Sequence, residues 1–292
     1  MRNKRLNSAC IECLVKKHIA AYPGDAKEED KLLYMQRILG VISAAKDDMS
    51  APELVEEIDK IKEELFGRGD DYSEIKKHFN ALMLKEEPSL KEEIDKAENP
   101  LKRAFLIALN GNYIDFGAMY KVDEGVLKKS LYGIEDDGAF DTEFAKLTAD
   151  LRTAKHLLYI TDNCGEIVAD KLFVKEIMKE FPNLSVKAMV RGKDVLNDAT
   201  IEDAIDVGLD LILPVIPNGT GVPGTSIAKV PYGVKKIINE ADVIISKGQG
   251  NFETLMYSGK NIYYIFMCKC PLFAKRFGVK QFTGMLLNDL RM

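Results

Sequence analysis

The segment Leu157-Leu-Tyr-Ile-Thr-Asp-Asn-Cys-Gly-Glu166 decides the fold, because it joins a short apolar run to a polar turn and then to a helical stretch. The run 157–160 is apolar throughout, which is typical of a strand buried on both faces of a parallel sheet. Apolar side chains recur at helical spacing after Glu166. A strand, a turn with glycine and a helix in that order predict one unit of a doubly wound α/β sheet.

Four further apolar runs in the second part of the chain have the composition of strands. They are 186–190, 211–213, 243–245 and 262–266. Helical stretches separate most of these runs, so we expect a Rossmann-like α/β/α architecture with a mainly parallel sheet. Ligands of such sheets bind outside the carboxyl ends of the strands, so the residues that follow each run are the candidates for chemistry.

The first 110 residues differ in composition, with 19 basic and 22 acidic side chains but only 4 of the 21 glycines. Ser50-Ala-Pro-Glu53 has the form of a capping box, and apolar residues follow it at helical spacing. Ser89-Leu-Lys-Glu92 repeats this start signal, and Pro100 predicts a break in the helix that follows. We therefore predict an α/β multidomain protein, with a mainly helical N-terminal domain over residues 1–110 and a Rossmann-like catalytic domain over residues 111–292.

The overall composition excludes several classes of protein. With 46% hydrophobic and 30% charged residues among 292, the chain is globular rather than disordered or fibrous. A net charge of −5 provides no bulk positive field for nucleic acid, and no apolar run is long enough to span a bilayer. Five cysteines do not indicate a secreted disulfide framework, so we expect a cytoplasmic protein without nucleic-acid or membrane partners.

Oxygen-bearing side chains follow the first two predicted strands. Asp162 and Asn163 come directly after the first strand, and Asp198 lies in the segment after the second. Carboxylate and amide oxygens are the ligands that Mg²⁺ and Mn²⁺ prefer, so these residues are candidate ligands of one divalent cation. Asp-Asn after a strand is also common as a turn or a helix N-cap, and Asp198 could equally be a loop residue near a helix start.

Glycine-rich turns follow the next two predicted strands. Residues 219–224 and 248–250 could present backbone N–H groups to a phosphate, and Lys247 would add a positive charge. The same turns could be purely geometric, and the lysine could be solvated. Because four successive loops at one sheet edge carry polar groups that suit a metal and a phosphate, we favour a single metal-phosphate site.

Four motifs, in their order and spacing, resemble those of a known family. They are Gly111-Asn-Tyr-Ile-Asp-Phe-Gly117, Asp162-Asn-Cys-Gly-Glu166, Ser246-Lys-Gly-Gln-Gly-Asn-Phe-Glu253 and Lys269-Cys-Pro271. Together they resemble the metal-dependent damage-control phosphatases, long catalogued as a domain of unknown function, and in particular the smaller prokaryotic branch. The resemblance implies a helical part on a Rossmann-like domain. It also implies hydrolysis of sugar phosphates or damaged phosphorylated metabolites with Mn²⁺, Ni²⁺, Co²⁺ or Mg²⁺.

The resemblance also implies roles for individual residues. The metal ligands fall on Asp162, Asn163 and Asp198, and the first two count as catalytic. The substrate-side residues fall on one loop and a later lysine: Lys247, Gln249, Gly250, Asn251, Glu253 and Lys269. The better-described eukaryotic branch has Arg-Thr-x-Lys where this chain reads Phe266-Met-Cys-Lys269, so the eukaryotic substrate range is not implied.

Three further polar residues are candidates for supporting roles. Glu166 either orients a ligand or water, or stabilises the start of its helix through its negative charge. Asn112 and Asp115 either reach the pocket from the domain junction or form a structural turn. All three lie within the motifs that carry the resemblance.

The charge of the substrate suggests a mechanism. A phosphomonoester carries about two negative charges at neutral pH, which a metal on one side and Lys247 with Lys269 on the other would neutralise. The metal would also position a water molecule for in-line attack and lower its pKa. Direct attack by Asp162 is the alternative. The residue two positions after it is Cys164 rather than a second aspartate, which favours water.

Two functions of other classes stay open. A nucleotide- or S-adenosylmethionine-binding protein would also have an α/β sheet with glycine-rich loops, although residues 162–165 occupy the turn expected to carry G-x-G-x-x-G. A zinc-dependent interaction protein could use Cys10 and Cys13 as two of its ligands. It would need further ligands from Cys268, Cys270 or His18, and buried thiols on a helix face are the alternative. The oligomeric state is not determined by the sequence.

Overall fold

The computed structural model describes residues 6–67, 71–114, 123–133 and 136–292. Its helices are α1 (Ser8–Ala20), α2 (Glu28–Ser43), α3 (Ala51–Phe66), α4 (Ser73–Lys96), α5 (Pro100–Gly111), α6 (Glu124–Tyr132), α7 (Asp141–Thr153), α8 (Glu166–Glu180), α9 (Ile201–Asp206), α10 (Tyr232–Glu240), α11 (Gln249–Leu255) and α12 (Pro271–Phe277). Its strands are β1 (His156–Ile160), β2 (Ser185–Val190), β3 (Val215–Pro217), β4 (Val243–Lys247), β5 (Ile262–Cys268) and β6 (Thr283–Asn288). None of the helices in these ranges combines the length and apolar composition needed to cross a bilayer.

The six strands of the described ranges form one sheet in the order β3-β2-β1-β4-β5-β6. Neighbouring strands are parallel except for β5 and β6, which are antiparallel. The chain proceeds from β1 to one side through β2 and β3, and then crosses to β4 on the other side. The strand order therefore reverses between β1 and β4, and in sheets of this kind ligands bind at the carboxyl ends of the strands beside such a switch. The predicted Rossmann-like, mainly parallel sheet is confirmed.

Strand β1 has helices on both of its faces. Leu157 and Tyr159 belong to a hydrophobic cluster that includes side chains of α4, α5 and α8. Leu158 and Ile160 belong to a second cluster, which includes side chains of α10, α11 and α12. Because successive side chains of a strand point to opposite faces, this division explains why the run is apolar at every position.

The helices before the sheet pack in two groups. Helices α1, α2 and α3 share a small cluster around Tyr34, Ile38 and Leu54. Helices α4 and α5 instead join the core beneath one face of the sheet, and Phe105 of α5 lies 6.0 Å from Phe173 of α8 between ring centroids. The mainly helical character of the first part is confirmed, whereas the domain boundary after residue 110 stays a prediction.

Two features of the sheet differ from the sequence prediction. The run 211–213 is not a strand: it forms a turn after α9, and the side chain of Leu211 is 86% exposed. Pro214, which has no N–H to donate to a neighbouring strand, ends this turn, and β3 begins one residue later. Strand β6 was not predicted. It is an edge strand of mixed burial that depends on β5 for its hydrogen bonds.

Helix α4 also differs from the prediction, because Ser89 lies inside it rather than at a helix start. Pro88 removes one backbone hydrogen bond from the helix interior. The buried stripe of the helix nevertheless continues through Leu90 and Ile94, and this packing outweighs the local start signal. The predicted break is confirmed at Pro100, which is the first residue of α5.

The predicted capping box at Ser50 is confirmed, and it also joins α3 to a loop of the sheet region. Oε2 of Glu53 accepts hydrogen bonds from the backbone N–H and the hydroxyl of Ser50, at 2.7 and 2.8 Å. Oε1 of Glu53 accepts a hydrogen bond from the hydroxyl of Ser226 at 2.5 Å. One buried carboxylate therefore both caps the helix and attaches it to the α/β part.

We expect Glu53→Ala to lower the free energy of unfolding by about 1–3 kcal/mol, because it removes the cap and leaves the buried Ser226 hydroxyl without its acceptor. Urea titration followed by circular dichroism measures the change. Glu57→Ala, at an exposed position of the same helix, is the matched control and should stay within about 0.5 kcal/mol of the parent. Equal losses in the two variants would contradict the role given to Glu53.

Candidate active site

The three predicted metal ligands lie together at the carboxyl end of the sheet. Asn163 and Asp198 form an isolated antiparallel bridge between the segments that follow β1 and β2. The Nδ2 group of Asn163 donates to Oδ2 of Asp162 at 2.7 Å, and the carbonyl oxygen of Asp162 accepts from the N–H of Ala199 at 2.7 Å. All three side chains are buried. Backbone hydrogen bonds therefore hold the two ligand-bearing loops together.

Arg191, directly after β2, lies between the two ligand carboxylates. Its Nη2 donates to Oδ1 of Asp162 at 3.0 Å, and its Nε donates to Oδ2 of Asp198 at 2.6 Å. The side chain is 1% exposed. The two carboxylates are thus close enough to share one cationic group. Sequence analysis gave Arg191 no role, although a cationic residue directly after a buried strand is a signal that could have identified it.

Gly248, directly after β4, lies against the carboxylate of Asp162. Its φ is +80°, and a Cβ at this position would lie 1.9 Å from Oδ2 of Asp162. The position requires glycine both for its backbone conformation and for the space that the carboxylate occupies. Two carboxylates and an amide that converge in this way offer the oxygen donors that a hard divalent cation prefers. The residues present therefore fit such an ion.

Glu166 and Asn112 lie directly behind the ligands. Asn112 Nδ2 donates to Oδ2 of Asp162 at 3.2 Å and to Oε2 of Glu166 at 2.9 Å. Asn163 Nδ2 donates to the same Glu166 oxygen at 3.0 Å. Both residues therefore contact the ligands, and Asn112 reaches them from the end of α5. The other candidate of this group, Asp115, lies outside the described residues.

Lys247 is enclosed by protein acceptors rather than open to a cavity. Its Nζ donates to the carbonyl oxygen of Ala108 at 2.9 Å, to Glu166 at 2.6 Å and to Asp170 at 2.5 Å. Burial lowers its pKa, but the charges of Asp170 and Glu166 outweigh burial and raise that pKa to about 12. Its charge thus stabilises two buried carboxylates. Direct contact with a substrate would require these hydrogen bonds to be exchanged.

Asp170 is a buried member of this network that sequence analysis missed. Its Oδ1 accepts from Lys247 and from the hydroxyl of Tyr159 at 2.7 Å. Its Oδ2 has no hydrogen-bond partner within the described ranges, and burial raises the pKa of this carboxyl. The available signal was its position four residues after Glu166, on the same face of α8.

Gln249 joins the loop after β4 to the segment around Lys269. Its Oε1 accepts from the N–H groups of Lys269 and Cys270 at 2.9 and 3.0 Å, and its Nε2 donates to Glu253 at 2.8 Å. Burial raises the pKa of Glu253 to about 7, although the Gln249 hydrogen bond opposes this shift. Nζ of Lys269 donates to the carbonyl oxygen of Asn112. Only Asn112 therefore separates this lysine from Asp162.

Asn251 links the carboxyl ends of β1 and β4. Its Nδ2 donates to the carbonyl oxygens of Thr161 and Lys247 at 3.0 and 2.7 Å, and its Oδ1 accepts from Arg191 at 3.2 Å. These bonds hold β1 and β4 in register at the site. The geometry therefore supports a scaffolding role for this buried side chain.

The glycine-rich turns approach each other closely. A Cβ on Gly250 would lie 2.3 Å from the carbonyl oxygen of Pro223, and one on Gly224 would lie 2.6 Å from the carbonyl oxygen of Gly250. The N–H of Thr220 donates to Oδ1 of Asn218 at 3.0 Å, within the same turn. These contacts favour the geometric explanation of the 219–224 turn over phosphate binding.

Three of the cysteines lie close together, because Cys10 and Cys13 of α1 interact electrostatically with Cys270, and Cys10 and Cys270 also interact with Glu253. Cys164 is fully buried, and burial raises the pKa of its thiol, which disfavours a thiolate nucleophile. Cys10 and Cys13 are free thiols on α1. Across the described residues, no group of three or more histidine, cysteine, aspartate or glutamate side chains is arranged to hold a metal. Cys10, Cys13 and Cys270 thus approach one another, as the zinc alternative requires, but they do not form the arrangement of a metal site in the described part of the chain.

A cavity of about 530 Å³ lies beside the Asp198 loop, between α3, α4 and α9. Its lining includes Lys76, Asp194, Thr200 and Asp203. The predicted site residues that the structure describes do not line it. The ligand cluster itself is closed, since Asp162, the most exposed of the three ligands, is only 6% exposed.

The chain resembles several known proteins. The model of the damage-control phosphatase ARMT1-like domain matches residues 6–284. A damage-control phosphatase of Archaeoglobus fulgidus is 34% identical over 221 residues, which cover 74% of this chain and 75% of that protein. A damage-control phosphatase of Pyrococcus horikoshii is 32% identical over 206 residues, covering 69% and 71%. An uncharacterized protein of Methanocaldococcus jannaschii is 30% identical over 296 residues, covering 97% and 95%.

A solved structure extends the similarity to the fold. The crystal structure of a DUF89 family protein from Pyrococcus horikoshii has a TM-score of 0.75 and 25% identity, and the match covers 97% of this chain and 99% of that one. The match to the family model spans the helical part as well as the α/β part and includes all four motifs. The resemblance found in the sequence is therefore confirmed, and the chain belongs to the ARMT1-like damage-control phosphatase family.

Proposed function

We propose that this protein is a metal-dependent phosphomonoesterase, which hydrolyses small sugar phosphates or damaged phosphorylated metabolites by attack of water. The names of its relatives support a phosphatase. The observation that carries the finer proposal is the balance of buried charge around Asp162. We place the enzyme in the cytoplasm as part of this proposal.

The buried network around Asp162 has an excess of negative charge. Its charged members, all buried, are the carboxylates Asp162, Glu166, Asp170 and Asp198 and the cations Arg191, Lys247 and Lys269. When all are ionised, the four carboxylates exceed the three cations by one negative charge, and the charges balance when Asp170 binds a proton, which its raised pKa favours. In neither state does the site have the net positive charge that a phosphate dianion requires, and unpaired buried charge is costly. One divalent cation would make the net charge positive, which makes the site complementary to the substrate.

The residues of the site have separable roles in the proposed reaction. Asp162, Asn163 and Asp198 would hold Mn²⁺, Ni²⁺, Co²⁺ or Mg²⁺, and Asn112 and Glu166 orient the first two. The bound cation would supply electrophilic stabilisation of the phosphoryl group and activation of water. Lys269 donates a hydrogen bond to Asn112, which in turn contacts Asp162. In the proposed reaction this lysine supplies positive charge on the substrate side.

The contacts of Asp162 support water as the nucleophile. Oδ1 of Asp162 accepts from Arg191, and Oδ2 accepts from Asn163 and Asn112. We favour water because attack on phosphorus by Asp162 would break these hydrogen bonds, whereas binding of a cation leaves the carboxylate in place. The same carboxylate disfavours the nucleotide- or S-adenosylmethionine-binding alternative, because it lies in the turn after β1 where a dinucleotide-binding protein presents glycine N–H groups.

The first prediction of this proposal is metal dependence. The purified protein should hydrolyse p-nitrophenyl phosphate and members of a sugar-phosphate panel with Mn²⁺, Ni²⁺, Co²⁺ or Mg²⁺, and lose this activity in EDTA. Asp162→Ala should lower kcat/KM at least about 100-fold, because it removes a proposed metal ligand. The loss should exceed that caused by removing a residue that only orients a ligand. Asp210→Ala, at an exposed position, should retain full activity. Full activity in EDTA, or an unimpaired Asp162→Ala, would refute the assignment.

The second prediction concerns the glycine beneath Asp162. We expect Gly248→Ala to lower kcat/KM and to weaken Mn²⁺ binding, each by at least about tenfold, because the added methyl group displaces the Asp162 carboxylate. Gly233→Ala is the matched control, since a Cβ at that position meets nothing within 4 Å. Steady-state assays and Mn²⁺ titration measure both effects. Equal results for the two variants would contradict the placement of Asp162 over Gly248.

A further inference from the structure

One side chain of the helical part contacts both the Asp162 turn and the helix that follows the Asp198 loop. Asn80, on α4, accepts a hydrogen bond through Oδ1 from the N–H of Gly165 at 2.6 Å. Its Nδ2 donates to Oδ1 of Asp203 at 2.9 Å. The side chain is 3% exposed. Gly165 ends the turn that carries Asp162 and Asn163, so a residue more than 80 positions earlier in the chain holds this turn.

The second contact of Asn80 leads to the Asp198 loop. Oδ2 of Asp203 accepts from the N–H and the hydroxyl of Thr200, at 2.8 and 2.9 Å. Thr200 follows Asp198 by two residues and begins α9. Lys76, one helical turn before Asn80 on the same face of α4, pairs with Asp203 at 2.7 Å. Two side chains of α4 thus hold the capping box that fixes the end of the Asp198 loop.

The turn at Gly165 is packed tightly against α4 as well. Its φ is +69°, and a Cβ there would lie 2.9 Å from the side chain of Ile114 and 3.0 Å from the backbone oxygen of Phe79. The position of the turn therefore depends on α4 in addition to the sheet. A displacement of α4 would move both ligand loops together.

We propose that Asn80, supported by Lys76, is a positioning residue that sets the spacing between the Asp162 turn and the Asp198 loop and thereby determines metal affinity. This inference rests on the proposed function. Asn80 touches no candidate ligand directly and acts through Gly165 and Asp203. Groups that orient ligands in this indirect way typically change metal affinity about 10–100-fold when they are removed.

A second polar link between α4 and the α/β part provides a matched control. Lys171 of α8 donates to Glu87 of α4 at 2.8 Å and to the carbonyl oxygen of Val207 at 2.7 Å. This side chain is also buried, at 5% exposure. Its contacts do not reach the ligand loops. Lys171→Met therefore weakens the same helix packing without the effect that we assign to Asn80.

The experiment is Mn²⁺ titration of the full chain without substrate, read from the electron paramagnetic resonance signal of free Mn²⁺. We expect Asn80→Ala to raise the Kd for Mn²⁺ at least about tenfold, and Lys171→Met to leave it within about twofold of the parent. Asn80→Asp should also raise it, because a second carboxylate then faces Asp203. Adding Asp203→Asn to Asn80→Asp restores a donor and an acceptor and should recover most of the affinity.

Each outcome decides the matter. A Kd in Asn80→Ala equal to that of the parent, or raised equally by Lys171→Met, would overturn the positioning role while leaving the proposed function intact. If Asn80→Ala does not fold, equal affinities in Asn80→Asp and in its combination with Asp203→Asn overturn it instead. Failure of the parent to bind Mn²⁺ would overturn the proposed function, and this inference with it.

Discussion

The bridge from Arg191 to Asp162 and Asp198 is the interaction on which the active-site edge depends. A buried guanidinium is stable only when its charge and its N–H groups are matched. Here the two carboxylates match the charge, and Thr161 and Asn251 accept further hydrogen bonds. These partners come from the end of β1, from the loop between β2 and α9 and from the start of α11. The three segments therefore have to assemble together for any one of these charges to be buried.

The remaining charges explain why the site is closed and why its carboxylates, when all are ionised, outnumber its cations. Lys247 is committed to Glu166 and Asp170, so it cannot also neutralise the carboxylates that face Arg191. Tight pairing makes the network stiff, since moving any member leaves a buried charge without a partner. The divalent cation that we propose would add positive charge where these carboxylates meet. The chain's net charge of −5 describes the outer surface and does not predict this local demand.

The features predicted correctly from the sequence are those that short stretches of residues determine. Buried parallel strands appear as apolar runs, and the rule that ligands bind at their carboxyl ends placed Asp162 and Asp198 at one edge. The prediction of a strand at 211–213 was wrong, because a short apolar turn that ends at a proline has the same composition as a short strand. Asn80 and Asp170 were missed because their partners are brought close only by tertiary packing. A polar residue inside a helix gives no local sign of which distant loop it will contact.

Phe266 shows how packing constrains substrate recognition in this chain. In the motif comparison, Phe266 occupies the position at which the eukaryotic branch has the arginine of Arg-Thr-x-Lys. Its ring is fully buried and stacks on Phe252 of α11, with 4.9 Å between centroids. An arginine here would bury a charge against the ring of Phe252, which also packs on Tyr264 and Phe273. The position therefore serves to hold α11 against β5. In the function that we propose, Lys269 at the end of the same segment supplies the positive charge instead.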